Sequence, residues 1–243
     1  MVLYFDHIDS TNRIARQKAL EDAPSGLIVR AGRQSAGRGQ YDRSFASPDG
    51  GLYFSLLLRL AVPIAQLPLI TLATGVACRE ILFAACGVEA KIKWPNDLYL
   101  GERKVAGILC ENVSNPAGKN DQPAVVIGVG LNVNSTLADF PIELQPIVTT
   151  LFEQTGQRMD LEKLLDLLAQ AIASKAAMVA TDSELLLAEW QKHDYLHGRS
   201  LVHTAGNVTL QGIGMGVSAL GLYRFRDAAG VEHSVVGGQL RPA

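Results

Sequence analysis

Two arginines sit among glycines and small polar residues between Gln34 and Phe45, in the run Gln-Ser-Ala-Gly-Arg-Gly-Gln-Tyr-Asp-Arg-Ser-Phe. Gly37 and Gly39 flank Arg38, so the backbone there is free to take positive φ and turn its amide N–H groups inward on one anion. Arg38 and Arg43 add planar guanidinium forks, which suit a carboxylate, a phosphate or the mixed anhydride of the two. Taken alone, a Gly-Arg-Gly triplet also describes a solvated surface loop.

Three further stretches carry polar groups that a core does not need. Asp9-Ser10-Thr11-Asn12 supplies four helix caps where one suffices, leaving the others to meet a ligand at a helix N-terminus. Lys91-Ile92-Lys93-Trp94-Pro95-Asn96-Asp97 reads as a turn with two strand-edge lysines, gathered beside a tryptophan. In the following apolar run, Lys104 is either a snorkelling edge residue or a point charge aimed into a cavity, with Gly107 leaving room for a ligand. Gly128 and Gly130 interrupt the apolar run from Ala124 to Val133, which marks close approach by another backbone or a ligand, and Asn132 is polar within it.

The elements that must hold these stretches follow from periodicity. Strands are predicted over Met1–Ile8, Leu27–Arg33, Leu52–Leu60, Arg103–Glu111 and Ala124–Val133, so the arginine loop hangs between two strands. Helices are predicted from the Asp9–Asn12 caps to about Glu21, over Pro68–Ala85 with Gly87 as its stop, and over Ile142–Gln154, Leu161–Val179 and Glu184–Tyr195. Asn115–Pro123 reads as a polar loop. From His197 short strands alternate with turns, giving a large domain over residues 1–196 and a small β module over 197–243.

With 243 residues, 48% hydrophobic and 19% charged, the chain has the makings of a substantial core. Its 22 basic and 24 acidic residues give no overall reason to expect nucleic acid or anionic lipid as partner. Cys78, Cys86 and Cys110 lack metal-ligand spacing and sit in apolar contexts, which suits buried reduced thiols and a cytoplasmic protein. Apolar runs are broken by charge before membrane-spanning length, so neither secretion nor insertion is expected.

Ser10-Thr11-Asn12, Gln34 through Arg43, Lys93 through Asp97 with Arg103-Lys104-Val105-Ala106-Gly107, and Gly128 through Asn132 together resemble, in wording and order, the signature blocks of biotin protein ligases. The resemblance implies an α+β fold: a class II synthetase-like, biotin/lipoyl-ligase catalytic domain of mixed sheet and helices, closed by a small SH3-like β barrel. It is similar to the short, ligase-only type, without room for the N-terminal helix-turn-helix of members that double as repressors. The implied reaction activates biotin with ATP as biotinyl-5'-AMP and passes biotin to a lysine of a biotin carboxyl carrier protein. By the same resemblance Lys104 and Arg38 are catalytic; Ser10, Thr11, Asn12, Gln34, Gly37, Arg38, Gly39, Gln40, Lys104, Gly107 and Gly128 hold biotin. Arg38, Gln40, Arg43, Phe45, Asn96, Asp97, Lys104 and Asn132 handle ATP. Asp97 orients Lys104, the ribose or Mg²⁺, the metal being carried mainly by ATP without a protein site of its own. A homodimer is common in the family.

Lipoate or octanoate transfer uses a related fold and also ends on a carrier lysine, but offers no ureido group for Ser10, Thr11, Asn12 and Gln34. A non-catalytic biotin-binding scaffold would not need Arg38, Asp97 and Lys104 together. Two positions depart from the family pattern: Gln40 stands where Gly-Arg-Gly-Arg is usual, and Phe45 where tryptophan is common, a smaller aromatic face without an indole N–H. One cation near the acyl phosphate is thereby missing, so Gln40→Arg is expected to slow dissociation of biotinyl-5'-AMP; equal off-rates in the two proteins would dispose of this reading.

Overall fold

The computed structural model describes residues 1–40, 43–60, 62–114 and 123–243. One mixed sheet is built from β1 (Val2–Ile8), β2 (Leu27–Gln34), β3 (Leu52–Arg59), β4 (Lys91–Lys93), β5 (Asp97–Leu100), β6 (Arg103–Val113) and β7 (Ala124–Leu131), in the order β1-β2-β3-β7-β6-β5-β4. The helices are α1 (Thr11–Leu20), α2 (Leu67–Cys86), α3 (Leu151–Thr155), α4 (Leu161–Thr181) and α5 (Ser183–Lys192). β1 and β2 are parallel because the chain crosses between them through α1, and the other neighbouring pairs are antiparallel.

Strand alternation divides the buried side chains between two faces. Phe54, Leu56 and Leu58 of β3 and Val125, Ile127 and Val129 of β7 join the core made by α2, α4 and α5. Leu57 of β3 and Val126 of β7 turn the other way, onto Ala15 and Ala19 of α1. α1 packs on β2, β3 and β7. A helix about 10 Å across covers two or three strands, whereas seven strands about 4.8 Å apart spread over roughly 29 Å. The β6-β5-β4 end of that face is therefore left for something other than α1.

Residues 200–242 form a second, antiparallel sheet of β8 (Ser200–Ala205), β9 (Val208–Val217), β10 (Tyr223–Arg226), β11 (Glu232–Val235) and β12 (Gln239–Pro242), ordered β11-β10-β9-β8-β12. Its buried Leu201, Tyr223, Phe225 and Leu240 belong to the same apolar cluster as α2 and Trp94. Trp94 Nε1 donates to Gly221 O at 3.0 Å, and its ring lies 5.8 Å from that of Tyr223. The turn between β4 and β5 is thus seated on the C-terminal sheet.

Three expectations need correction. Residues 142–147 are turns and 148–150 run on without helix, so only Leu151–Thr155 is helical. Pro146 lacks the N–H a helix interior needs, and Ile147-Val148-Thr149-Thr150 is a β-branched run, so Val148 bridges to Lys104 in parallel and Thr150 caps α3. α2 and α4 are long and apolar enough to cross a membrane by length and composition, but α2 spends that character on the core, with 11 of its residues buried. Cys78 is buried, its thiol pushed up to about 12 by burial, while Cys86 and Cys110 are only partly covered; all three are free. The polar loop expected at Asn115–Pro123 lies, up to residue 122, outside the described residues.

Asp194 sits where the two sheets meet. Its carboxylate accepts from Leu196 N and from the Tyr223 hydroxyl, each at 2.8 Å, yet burial raises its pKa from 3.8 to about 6. The folded state therefore holds this proton more tightly than the unfolded chain, and the resulting stabilisation is lost as pH rises from about 4 to about 6. Asp194→Asn removes the titration. Urea denaturation should find the variant gaining on the order of 2 kcal/mol relative to the parent between pH 4 and pH 7.

Candidate active site

The arginine loop leaves β2 and returns along itself. Gln34 bridges to Ser47 and Arg38 to Ser44, and Phe45 N donates to Gly37 O at 2.8 Å. Neither Gly37 nor Gly39 adopts positive φ, contrary to expectation, and the Gly39 amide is spent on Arg43 O at 2.7 Å. What Gly37 provides is space: a Cβ there would overlap the Phe45 carbonyl and lie 2.8 Å from Ser47 Oγ.

A chain of hydrogen bonds runs round the site from one side of this loop to the other. Ser47 Oγ donates to Phe45 O at 3.1 Å and accepts from Gln34 Nε2 at 3.0 Å. Gln34 Oε1 accepts from Thr11 N at 2.8 Å, so a glutamine from β2 caps α1 while Ser10, at the N-cap position, makes no side-chain cap bond. Ser55 Oγ, fully buried on β3, lies 2.8 Å from Thr11 Oγ1 and 2.6 Å from Asn12 Oδ1. Because that amide oxygen only accepts, the Ser55 proton goes to Asn12. Asn12 Nδ2 donates to Leu109 O at 3.2 Å and to Glu111 Oε2 at 2.8 Å, and the other Glu111 oxygen meets Arg38 at 3.5 Å.

The second half of the site is electrostatic. Lys104 Nζ lies 2.6 Å from Asp97 Oδ1 and 5.5 Å from the centre of the Phe45 ring. Gly107 and Gly130, paired across β6 and β7, form the floor beneath that ring, where a Cβ on Gly130 would strike it. Gly128 was expected to make room for a ligand; the space it leaves is taken by Asn12, whose Oδ1 a Cβ would overlap. Asn96 Nδ2 donates to Ile108 O at 2.7 Å and Ile108 N to Asn96 O at 2.8 Å, fixing the β4–β5 turn against β6.

One cleft brings most of the expected residues together. Ser10, Thr11, Asn12, Gln34, Arg38, Gly39, Gln40, Arg43, Phe45, Asn96, Asp97, Lys104, Gly107 and Gly128 all line it. Gly37 stands behind the wall. Asn132 is away from it and buried, donating from its amide N–H to Val105 O at 2.9 Å and from Nδ2 to Thr149 O at 3.0 Å, which makes it a strut of the sheet. Lys93 of β4, singled out in its block but given no role, also lines the wall, and so do Gly238–Leu240 at the start of β12, which were not expected there. Ser55 and Glu111 were missed as well. A lone serine in Leu52–Arg59 and a glutamate in Arg103–Val113 were the available signals.

Residues 4–132 match the sequence profile of the biotin/lipoate A/B protein ligase family. The chain belongs to that family. It is 33% identical over 230 residues to the biotin–[acetyl-CoA-carboxylase] ligase of Paracoccus denitrificans, covering 91% of this chain and 92% of that protein. It is 38% identical over 160 residues to the bifunctional ligase/repressor BirA of Bacillus subtilis, covering 65% of this chain but 48% of BirA, so it spans about half the length of that relative. The biotin protein ligase of Aquifex aeolicus in complex with biotin and ATP superposes with a TM-score of 0.86 at 26% identity, covering 100% of this chain and 99% of that one.

The buried link between Ser55 and Asn12 has a measurable weight. Ser55→Ala leaves an amide oxygen without its donor and should cost about 1–3 kcal/mol in denaturant unfolding. A double-mutant cycle with Asn12→Ala should be non-additive by about 1 kcal/mol, and additive losses would dissolve the link.

Proposed function

We propose that this protein is an ATP-dependent biotin ligase that forms biotinyl-5'-AMP with release of pyrophosphate and then transfers biotin to a lysine of a biotin carboxyl carrier protein domain. The observation that carries the reading is the convergence of Arg38 and Arg43, from the loop after β2, and Lys104, from β6, on one cleft that also presents Ser10, Thr11 and Gln34. The kinship with Paracoccus and Aquifex ligases, the latter holding biotin and ATP, supports it.

Neither half-reaction requires a covalent enzyme nucleophile. Two anions must be brought together and the charge on the phosphate oxygens stabilised, which is positioning and electrostatics. In this reading biotin lies at the α1 end, against Ser10, Thr11, Asn12 and Gln34, with Arg38 and Lys104 on its carboxylate and the α-phosphate. Arg43, Phe45 and Asn96 face the nucleotide, and Gly39, Gln40 and Gly107 line its path. Asn132 and Gly37 support the site from behind. Among the described residues no group of three or more His, Cys, Asp or Glu is placed to hold a metal, and Asp97 is already paired with Lys104. That donor set suits Mg²⁺ entering on the phosphates of ATP, with Asp97 at hand. We read residues 1–196 as the catalytic domain and 197–243 as an SH3-like barrel that seats the β4–β5 turn.

Lys104→Ala should keep the fold, since the lysine lies at the cleft surface, and lose biotin-dependent ATP–pyrophosphate exchange by about a thousandfold or more. Exchange at near the parental rate would overturn the role given to Lys104.

A further inference from the structure

Glu111 carries a charge that the hydrogen bonds around it do not require. On β6 it follows Gly107 and Leu109 on the face turned toward α1, and Val113, two residues further, already belongs to the apolar cluster of Ala15 and Ala19. Only 17% of its side chain is exposed. Oε2 accepts from Asn12 Nδ2 at 2.8 Å, a bond that a glutamine carbonyl would accept equally well. A carboxylate withdrawn this far from water costs free energy unless a cation answers it. Here Arg38 answers it, with Nη1 3.5 Å from Oε1. That contact is slack: it is longer than the roughly 2.7–2.9 Å of a charge-assisted hydrogen bond, and 46% of the arginine side chain is exposed.

The contact also draws Arg38 away from where the chemistry needs it. Lys104 Nζ comes within 3.1 Å of the place a Cβ on Gly107 would take, so the lysine tip stands over that residue. The Glu111 backbone is four residues further along the strand, about 13 Å at roughly 3.3 Å per residue. The lining that β6 gives the cleft ends before it, at Leu109. In the proposed function Arg38 and Lys104 meet on one acyl phosphate, so the guanidinium has to leave the Asn12 end for the Gly107 end. We propose that Glu111 is the resting counter-ion of Arg38: it holds the arginine in the empty site and competes, within the molecule, with the carboxylate of biotin for the same guanidinium. Glu111 thereby sets how tightly the site takes an anionic ligand, which rests on the role given to Arg38 above. Ligand entry exchanges one carboxylate for another on Arg38, and the slackness of a half-exposed pair keeps the cost of that exchange small.

Glu111→Gln keeps an acceptor for Asn12 and removes the charge. Calorimetric titration should find it binding biotin about two- to fivefold tighter than the parent, the range expected on releasing a half-exposed ion pair. Biotin amide, which has no carboxylate, should bind the two proteins equally. In an Arg38→Ala background the same substitution should leave biotin affinity unchanged, because no guanidinium remains to compete for. A glutamate that only supports the wall predicts the opposite sign, with both ligands weakened. Unchanged or weaker biotin binding in Glu111→Gln, or biotin amide tightened equally, overturns the assignment. A second measurement needs no ligand: trypsin acting on the empty protein, followed by mass spectrometry, should cleave after Arg38 about two- to fivefold faster in Glu111→Gln, since a released side chain enters the protease more often. Equal cleavage rates would overturn it too. Absence of biotin binding by the parent protein would sink the proposed function, and the tryptic rates would then still decide whether Glu111 restrains Arg38.

Discussion

Positive charges held close together around the Asp97 carboxylate are the constraint on which this site depends. Lys104 and Lys93 share the neighbourhood of Asp97, and each is at least partly withdrawn from water. Desolvated ammonium groups repel one another and cost free energy unless a counter-charge answers them. Asp97 supplies one such answer at 2.6 Å, and the rest is left for an anion to supply. Charge arranged in advance in this way needs little reorganisation when an anion enters.

Space is made by the same alternation that makes the core. On β6 and β7 the residues facing α1 include Gly107, Gly128 and Gly130, where other positions of those strands carry valine, isoleucine and leucine. Each absent side chain admits a particular neighbour: Asn12 over Gly128, and the Phe45 ring over Gly107 and Gly130. The glycines therefore fix two protein side chains in the wall, and any ligand meets those side chains rather than bare backbone. Phe45, edge-on to Tyr53 with ring centres 6.4 Å apart, is in turn held from the side.

Much of this was legible beforehand, for reasons that differ by element. The long apolar runs of β3 and β7 and the left-handed Gly87 that ends α2 are local signals, and local signals survive in a sequence. The four polar blocks were visible because nothing in a core calls for them. Ser55 and Glu111 were not, since their importance lies in partners 43 and 99 residues away along the chain, a relation periodicity does not express. Asn132 misled for the complementary reason: a polar residue in an apolar run announces a need for hydrogen bonds, not which side of the sheet will meet it. The expected helix at 142–154 formed only from Leu151, because its apolar spacing concealed Pro146 and a run of β-branched residues better suited to lie beside a strand.

That extended segment has a consequence for chemistry at a distance. The Lys104 amide donates to Ile147 O and the Lys104 carbonyl accepts from Thr149 N, each at 2.9 Å, so both peptide groups flanking the lysine Cα are clamped by residues more than forty positions downstream. The backbone on both sides of the Lys104 Cα is therefore held by one segment, while Asp97 holds the ammonium at the far end of the side chain. Evolutionary drift in the unassuming stretch around Val148 would be felt first as a misaimed lysine.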